Sequence, residues 1–330
     1  MMTTPMLVPT ERLGRVKAWV LDEVGSPLRL TDVEAPSPGA GQVVVRVKAS
    51  GLCHSDVGYM HGVIPITQPM PAILGHEVAG VITAVGAGVA DFVAGDPVVS
   101  TGTAADFPGV SRAGAYAEYV VLTAANLVRV PDGLDWAQAA AATDAGITSY
   151  TGVVVDGGVA AGDRVAIVGL GGLGMTGARI AVLQGATVYG VEPRKETWPI
   201  AKENGLTDVF ADVEELAGMD LDVIVDFAGF GTTTAGAIRA VKPGGLVVLV
   251  GLGKTEWTMH SMDLVVRKVR LHGSTTAGNP AHLQGVIDLM TSGDLKIRAE
   301  SLTFDEIPEG LARLERGEVN GRLVAQLDDA

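Results

Sequence analysis

The chain has 330 residues, of which 47% are hydrophobic and 19% charged, a balance that excludes a disordered protein and leaves room for two domains. Its 38 acidic residues outnumber the 24 basic ones, and the formal net charge of −14 disfavours nucleic acids and anionic membranes as partners. The single cysteine, Cys53, allows no intrachain disulfide, and the segment Met1–Arg15 has no signal-peptide pattern, so we expect a cytoplasmic protein.

Short runs of alternating hydrophobic and polar residues make up the N-terminal part of the sequence. Two of them, Val16–Val20 and Val43–Lys48, have a period of two and predict antiparallel strands. Glycine-rich turns separate the β-type runs that follow, which are Glu77–Val85, Asp96–Ser100, Tyr116–Leu122 and Asn126–Val130. Together these runs predict a small all-β domain.

Near residue 135 the pattern changes to alternating strands and helices, beginning with helical segments at Trp136–Ala142 and Ile147–Val155. The predicted elements that follow are strand Arg164–Gly169, helix Gly172–Leu183, strand Thr187–Glu192, strand Asp222–Phe227, helix Thr233–Val241 and strand Gly245–Gly251. This alternation predicts a parallel sheet built from βαβ units. The most apolar stretch, Val165–Tyr189, is interrupted by glycines and Arg179, so we do not expect a membrane span.

A buried strand runs directly into a glycine-rich turn and a helix between Val165 and Gly174. The residues of the turn that are candidates for cofactor binding are Gly169, Gly171, Gly172, Leu173 and Gly174. In such a loop the first glycine permits a tight turn, the second lets backbone N–H groups approach a pyrophosphate, and the third lets the helix pack on the sheet. The positive end of the helix favours the phosphate charge, so we predict a Rossmann dinucleotide site.

The acidic residue Glu192 ends the next predicted strand. A carboxylate there accepts hydrogen bonds from the adenosine ribose hydroxyls and repels a 2′-phosphate, which favours NAD over NADP. Arg194 and Lys195 lie close enough in sequence to bind a 2′-phosphate, so NADP stays possible.

Three residue types that bind zinc occur at strand or loop ends. Cys53 lies in the segment Gly51–Asp56, His76 and Glu77 follow Gly75, and Asp144 lies between two predicted helices. One thiolate, one imidazole and one carboxylate can hold a catalytic zinc and leave a fourth position open. Taken singly, each residue also has a structural explanation, as a core cysteine, a hydrogen-bonded histidine or a helix cap.

These metal and glycine motifs resemble those of the zinc-dependent medium-chain alcohol dehydrogenases, and the resemblance extends over nearly the whole chain. The further matching segments are Ala94–Val98, Gly114–Tyr119, Asp144–Thr148, Lys242–Gly245 and Leu271–Ser274. The resemblance implies that Cys53, His76 and Asp144 bind a catalytic zinc, with Glu77 as a nearby or alternate ligand. Asp144 replaces the second cysteine of the two-cysteine, one-histidine site found in some alcohol dehydrogenases.

The resemblance also implies a proton relay that begins at the hydroxyl of Ser55. The family's usual relay histidine corresponds to Gly58, so water, the cofactor ribose or His61 would take over the outer step. The family's structural zinc requires four closely spaced cysteines, and Ser100–Ala115 contains none, so we expect one catalytic zinc and no structural zinc.

Cofactor contacts outside the glycine loop follow from the same resemblance. His54 corresponds to a basic residue near the pyrophosphate, and Asn320 replaces a pyrophosphate-binding arginine, which leaves Arg322 as the candidate. The residues expected to hold the nicotinamide amide are Val250, Leu252 and Ser274.

The implied α/β architecture has two domains. A GroES-like β-barrel catalytic domain would comprise residues 1–147 and 275–330, and a doubly wound Rossmann domain would comprise residues 148–274. The amphipathic helix Ala281–Thr291 follows, and we expect the closing segment Leu311–Leu327 to return to the first domain.

The predicted function is a zinc-dependent transfer of hydride between NAD(H) and a primary or secondary alcohol, or the corresponding aldehyde or ketone. The partner would be a small molecule, and the resemblance implies a homodimer or homotetramer. One alternative is a metal-independent, NADPH-dependent reductase of an activated carbon–carbon double bond, and another is a non-catalytic dinucleotide-binding protein. Tyr59, Met60 and Ile64 are candidates for the substrate wall or for core packing.

Overall fold

The computed structural model describes residues 14–103, 105–276 and 278–327. The chain divides into two compact units. The first comprises Met1–Asp144, Ala277–Thr291 and Arg298–Ala330, and the second comprises Ala145–Thr276 and Ser292–Ile297. The segment Met1–Arg15, in which we found no signal-peptide pattern, lies mostly outside the described residues, because these begin at residue 14.

Strands and helices are numbered in chain order. The strands are β1 (Arg15–Val20), β2 (Arg29–Glu34), β3 (Gln42–Leu52), β4 (Glu77–Val85), β5 (Pro97–Ser100), β6 (Tyr119–Thr123), β7 (Leu127–Arg129), β8 (Arg164–Val168), β9 (Thr187–Val191), β10 (Asp208–Phe210), β11 (Leu221–Asp226), β12 (Val241–Leu249), β13 (Arg270–Gly273), β14 (Ala299–Thr303) and β15 (Arg322–Gln326). The α-helices are α1 (His54–Met60), α2 (Trp136–Ala141), α3 (Ile147–Tyr150), α4 (Gly172–Leu183), α5 (Trp198–Glu203), α6 (Thr232–Ala240), α7 (Ser261–Val265), α8 (Pro280–Thr291) and α9 (Ile307–Glu315).

The first unit is organised around a seven-stranded sheet in the order β14-β15-β3-β4-β5-β7, with β6 paired to β3. Strand β3 lies antiparallel to β4, with Gly51 opposite Glu77, and antiparallel to β15, with Leu52 opposite Leu323. The end of β3 and the beginnings of β4 and β15 therefore meet at one edge of the sheet. Strands β1 and β2 form a separate antiparallel pair.

The runs between Val16 and Val130 predicted an all-β domain, and this is wrong in one place, because helix α1 lies among them. Helix α1 begins immediately after Cys53, where Asp56 accepts a hydrogen bond from the Cys53 backbone N–H. Such a carboxylate in the first turn stabilises a helix start. The predicted return of the closing segment is confirmed, since β15 pairs with β3.

The second unit contains a six-stranded parallel sheet in the order β10-β9-β8-β11-β12-β13. This is the doubly wound arrangement in which strand order reverses between β8 and β11, and ligands bind beyond the carboxyl ends of the strands at such a reversal. Valine, isoleucine and leucine make up most of β8 and β11, and all residues of these strands are buried except the half-buried Arg164 and Asp222, as expected for central parallel strands. The predicted Rossmann fold is confirmed.

The helix predicted at Thr233–Val241 ends one residue earlier, and the following strand starts at Val241 rather than Gly245. Pro243 cannot continue a helix and disfavours helical geometry in the residue before it, so the chain extends here. The strand predicted from Tyr116 begins only at Tyr119, because Tyr116 instead bonds to Leu74 and Trp19 outside the ladder.

None of the described helices combines the length and the apolar composition that crossing a bilayer requires.

Candidate active site

The zinc-binding residue types lie together at the edge of the first unit where β3, β4 and β15 meet. Cys53 follows β3, His76 precedes β4, and Glu77 is its first residue. Asp144 reaches the same place from a π-helical turn, Ala142–Gly146, that follows α2. An extra residue in a helical turn redirects side chains, and such turns occur frequently at functional sites.

One ligand atom from each of Cys53, His76, Glu77 and Asp144 lies within 4.8 Å of the corresponding atoms of the other three. Cys53, His76 and Glu77 are buried and Asp144 is half-buried. Within the described part of the chain this is the one group of three or more such residues close enough to share an ion. Residues as far apart in sequence as 53 and 144 are therefore brought together by the fold.

A buried carboxylate, Asp56, orients the histidine and the cysteine. Its Oδ1 lies 3.1 Å from Nδ1 of His76, and its Oδ2 accepts hydrogen bonds from the Cys53 backbone N–H at 3.0 Å and from the Tyr116 hydroxyl at 2.9 Å. Engagement of Nδ1 leaves Nε2 as the ring atom that can bind a metal. The His76 ring is also flanked by the rings of Tyr59, at 6.4 Å between centroids, and Phe107, at 5.6 Å.

These contacts set the charges around the site. Burial opposes ionisation of Asp56, but His76, Cys53 and Tyr116 outweigh it and hold the pKa of Asp56 below its ordinary value. Burial disfavours the imidazolium form of His76, but the charge and hydrogen bond of Asp56, together with Cys53, outweigh it and raise the pKa of His76 well above its ordinary value. Burial and the Asp56 charge also raise the pKa of Tyr116 well above its ordinary value, so its hydroxyl stays protonated and remains a donor.

The guanidinium of Arg322 lies among the acidic members of the group. It forms ion pairs with Glu77 and with Asp144, the latter at 2.7 Å, and its Nη1 lies 3.8 Å from the Cys53 sulfur. Only 6% of the Arg322 side chain is exposed. Its predicted contact with the cofactor pyrophosphate stays a prediction, and these ion pairs argue against a guanidinium that is free to make it.

The donor set fits a zinc ion. Sulfur, imidazole nitrogen and carboxylate oxygen are all accepted zinc ligands, and three of them leave an open position for a substrate. Glu77 is fully buried, and neither of its carboxylate oxygens makes a hydrogen bond of ordinary geometry to a described residue. A buried carboxylate needs a compensating positive charge, which Arg322 and a bound cation would supply. The predicted ligands thus converge, with Glu77 beside them.

The predicted relay residue, Ser55, is half-buried and its hydroxyl oxygen lies 3.6 Å from the Cys53 sulfur. Gly58 packs against Ile64, since a Cβ there would lie 2.8 Å from the end of that side chain. His61, one alternative for the outer relay, pairs with Glu315 at 3.1 Å. Its contribution to proton transfer stays a prediction.

His54 is exposed as a whole residue, but its ring contact is partly buried, with Nε2 3.0 Å from the Leu314 carbonyl oxygen. Burial lowers the pKa of His54 below its ordinary value, more strongly than the Leu314 carbonyl raises it. Tyr59, Met60 and Ile64 all belong to, or pack against, one hydrophobic core cluster of the first unit, which favours core packing over a substrate wall.

The glycine loop of the second unit has the geometry that its sequence predicts. Gly169 has φ +83°, a left-handed conformation that L side chains rarely adopt. A Cβ on Gly174 would overlap the carbonyl oxygen of Gly169, whereas a Cβ on Gly171 would have nothing within 4 Å. Gly172 and Leu173 form the first turn of α4, whose N-terminus can receive a phosphate.

Glu192 follows β9 directly, and its side chain bonds to the glycine loop. One carboxylate oxygen accepts the Leu170 backbone N–H at 3.1 Å, and Arg194 binds both oxygens through Nε at 2.9 Å and Nη2 at 3.1 Å. Burial raises the pKa of Glu192, but the Arg194 hydrogen bonds outweigh it, so the pKa lies below its ordinary value. Arg194 was also a candidate to bind the 2′-phosphate of NADP. In this structure it is paired with Glu192, the carboxylate that would repel that phosphate.

Val250 and Ser274 lie side by side at the carboxyl ends of β12 and β13, where the Ser274 N–H donates to the Leu249 carbonyl at 2.9 Å. The Ser274 hydroxyl is buried and makes no hydrogen bond to any described residue, so it is available to a ligand. Leu252 is 71% exposed. All three predicted nicotinamide contacts therefore follow the strand ends at which a dinucleotide binds in such sheets.

Sequence reasoning assigned no role to Asp56, Tyr116 or Arg322 at the metal group. Asp56 and Tyr116 both lie in segments that match the family, and a carboxylate near a metal-binding histidine is a common arrangement. That signal could have pointed to Asp56. Arg322 carries no comparable signal, because only the pairing of β15 with β3 brings it to the site.

Comparison with known proteins agrees with this geometry. Residues 39–132 match the family described as the alcohol dehydrogenase GroES-like domain, and residues 172–292 match the zinc-binding dehydrogenase family. An alcohol dehydrogenase of Geobacillus stearothermophilus is 32% identical over 95% of this chain and all of that relative. An NAD-dependent alcohol dehydrogenase of Sulfurisphaera tokodaii is 28% identical over 94% of this chain and 99% of that protein.

The solved structures include an acetophenone reductase from Geotrichum candidum in complex with NAD. It superimposes with a TM-score of 0.88 at 31% identity and covers 96% of this chain and 98% of that one. Matches of this extent span both units rather than one motif. The chain therefore belongs to the zinc-dependent medium-chain alcohol dehydrogenase family.

Proposed function

We propose that this enzyme exchanges a hydride between NAD(H) and a primary or secondary alcohol, or the corresponding aldehyde or ketone, at a zinc held by Cys53, His76 and Asp144. The convergence of these side chains with Glu77, within 4.8 Å of one another, is the observation that carries the proposal. Zinc, when bound, supplies a Lewis acid that polarises an alcohol or carbonyl oxygen. The NAD-dependent alcohol dehydrogenase and the NAD-bound acetophenone reductase among its relatives support the same activity.

The chain's own residues divide the remaining work. Ser55 Oγ, 3.6 Å from the Cys53 sulfur, would relay the proton of the substrate hydroxyl, accepting it while passing its own proton outward to water, the cofactor ribose or His61, and the reverse reaction would run the same relay backwards. Asp56 holds the His76 ring in the orientation that leaves Nε2 for the metal. Glu77, paired with Arg322, would supply negative charge to a bound ion and would be its alternate ligand.

In the second unit, the glycine loop would hold the cofactor pyrophosphate at the N-terminus of α4. Glu192 would accept the adenosine ribose hydroxyls and disfavour a 2′-phosphate, which makes NAD the preferred cofactor. Val250, Leu252 and Ser274 would position the nicotinamide amide. His54 remains the proposed basic contact to the pyrophosphate. Arg322, the other candidate, would have to leave its ion pairs with Glu77 and Asp144 to make such a contact.

We assign the catalytic domain to residues 1–147 and 275–330 and the cofactor domain to residues 148–274, as the family resemblance implies. The cytoplasm is the proposed location. For assembly we propose a homodimer or homotetramer joined through the second unit, where β13 is an edge strand. The adjacent residues Met262, Val265 and Val266 are 68%, 70% and 67% exposed, an apolar surface that a second copy would cover.

The convergence of the zinc ligands argues against the alternative of a metal-independent reductase of carbon–carbon double bonds. That chemistry requires no thiolate, imidazole and carboxylate at one buried place. A non-catalytic dinucleotide-binding protein would likewise not require them.

A metal assay combined with a substrate panel tests the proposal. We expect about one zinc per chain, and NAD reduction with alcohols that stops after treatment with a chelator and returns with added zinc. Primary alcohols, secondary alcohols, aldehydes and ketones would be compared with both NAD and NADP by following the absorbance of the reduced nicotinamide. An active wild-type enzyme that contains no metal would overturn the proposed site.

A further inference from the structure

The hydroxyl of Tyr116 occupies a fully buried position behind the metal group. The Tyr116 side chain is 0% exposed, as is Asp56, and the two are joined by a hydrogen bond of 2.9 Å from the hydroxyl to Oδ2. A buried hydroxyl must satisfy its hydrogen bond within the protein. The contact with Asp56 meets this requirement for Tyr116.

The Tyr116 ring is fixed by its surroundings. The Tyr116 N–H donates to the Leu74 carbonyl at 3.0 Å, and its own carbonyl accepts from the Trp19 N–H at 2.8 Å. Gly75 leaves room for the ring, since a Cβ there would lie 2.5 Å from its Cδ1. The residue that packs on Tyr116 is thus the neighbour of His76 in the chain.

Asp56 receives three donors, and two of them belong to the proposed metal ligands. The His76 ring lies on Oδ1, whereas the Cys53 backbone N–H and the Tyr116 hydroxyl share Oδ2. Rotation of this carboxylate would move the His76 ring and loosen the turn that carries Cys53. Among the described residues, Tyr116 is the one side chain apart from His76 that hydrogen-bonds Asp56.

From this geometry we propose that Tyr116 is a positioning residue, which acts through Asp56 to hold the His76 ring and the Cys53 turn in the arrangement that binds zinc. The inference rests on the proposed metal site. It assigns to the Gly114–Tyr119 segment a function toward the metal group, since Tyr116 bonds Asp56, which lies 60 positions earlier in the sequence.

The test is Tyr116→Phe, which removes the hydroxyl and keeps the ring. Loss of an outer hydrogen-bond partner of a metal site typically weakens metal binding about 10- to 100-fold, so we expect at least about a tenfold increase in the zinc Kd. Competition with a chromophoric chelator measures that Kd. The visible spectrum of the cobalt(II)-loaded protein reports ligand geometry, and we expect its bands to shift.

Tyr119→Phe is the matched control, because it removes a tyrosine hydroxyl three positions along the chain, on β6, outside the metal group. We expect its zinc Kd and cobalt spectrum to equal those of the wild type. NAD binding, measured by quenching of protein fluorescence, is expected to be the same in all three proteins, because the glycine loop belongs to the second unit.

A purely structural contribution of Tyr116 would lower the thermal midpoint of the metal-free protein without changing the zinc Kd or the cobalt spectrum, and that result would overturn the proposal. If Tyr116→Phe yields no folded protein, Asp56→Asn replaces it, and a zinc Kd equal to that of the wild type would overturn the proposal equally. A wild-type protein that binds no zinc would instead reject the metal site itself.

Discussion

The two units build their sites from different parts of the polypeptide. In the first unit, side chains from Cys53, His76 and Asp144 converge from separate elements onto one point. In the second unit, the loop Gly169–Gly174 presents backbone groups and the N-terminus of α4, and its residues matter mostly for the Cβ atoms that they lack. The metal group should therefore be sensitive to loss of a side chain, and the dinucleotide loop to addition of one.

Removal of a metal ligand should have the largest effect. Cys53→Ser and His76→Ala are expected to lose the bound zinc and at least about 1,000-fold in kcat/KM for alcohol oxidation, because a Lewis acid contributes several kcal/mol to the barrier. Metal analysis and steady-state kinetics measure the two losses. His282→Ala, a histidine of α8, is the control and should keep both.

Because the dinucleotide loop lies in the second unit and the metal ligands lie in the first, we expect Cys53→Ser and His76→Ala still to bind NAD. If the Kd for NAD rose in step with the loss of zinc, the two sites would not be separable. Fluorescence titration with NAD distinguishes these outcomes.

Ser55→Ala should have the next largest effect. Removal of the proposed proton relay is expected to lower kcat about 100-fold while the zinc content stays at that of the wild type. Ser301→Ala, on the exposed strand β14, is the control. A fall in zinc content together with activity would mean that Ser55 supports the metal rather than the proton.

Two glycine variants separate binding from folding in the second unit. Gly171→Ala places a methyl group where no protein atom lies within 4 Å, so we expect an unchanged thermal midpoint. Its Kd for NAD should rise about 10- to 100-fold, the equivalent of losing a hydrogen bond to a charged group.

Gly174→Ala instead drives a Cβ into the Gly169 carbonyl oxygen and should destabilise the unit itself, visible as a lower thermal midpoint. Equal midpoints for the two variants would contradict this distinction. Differential scanning calorimetry provides the comparison.

Glu192→Ala should have the smallest effect. It removes the carboxylate that disfavours a 2′-phosphate and frees Arg194, whose guanidinium currently binds both oxygens of Glu192. The ratio of kcat/KM with NADP to that with NAD should rise about tenfold, since NAD loses the hydrogen bonds of its ribose to the carboxylate while the 2′-phosphate of NADP gains a contact with Arg194. Glu203→Ala, at the end of α5, is the control, and an unchanged ratio in Glu192→Ala would remove charge repulsion as the basis of selectivity.

Local patterns predicted the second unit well. The glycine loop, its preceding strand and the acidic residue Glu192 lie within a short stretch, and the chemistry there depends on backbone geometry that glycine spacing reports directly. The same is true of the parallel strands, whose continuous apolar runs are visible in the sequence. The misplaced boundary at Val241 arose because the effect of Pro243 was not weighed.

The first unit was predictable in its parts but not in its assembly. Residue type and family resemblance pointed to Cys53, His76, Glu77 and Asp144, and the structure brings them together. The helix α1, by contrast, was missed because it is short and its start depends on Asp56.

What the sequence by itself determined is the kind of chemistry: a thiolate, an imidazole and a carboxylate for a metal, and a glycine loop for a dinucleotide. Only the tertiary structure decided which side chains support those groups. Asp56 meets His76 across 20 positions, Tyr116 meets Asp56 across 60, and Arg322 meets Asp144 across 178. Contacts of that separation are set by strand pairing and burial, and no local pattern of residues records them.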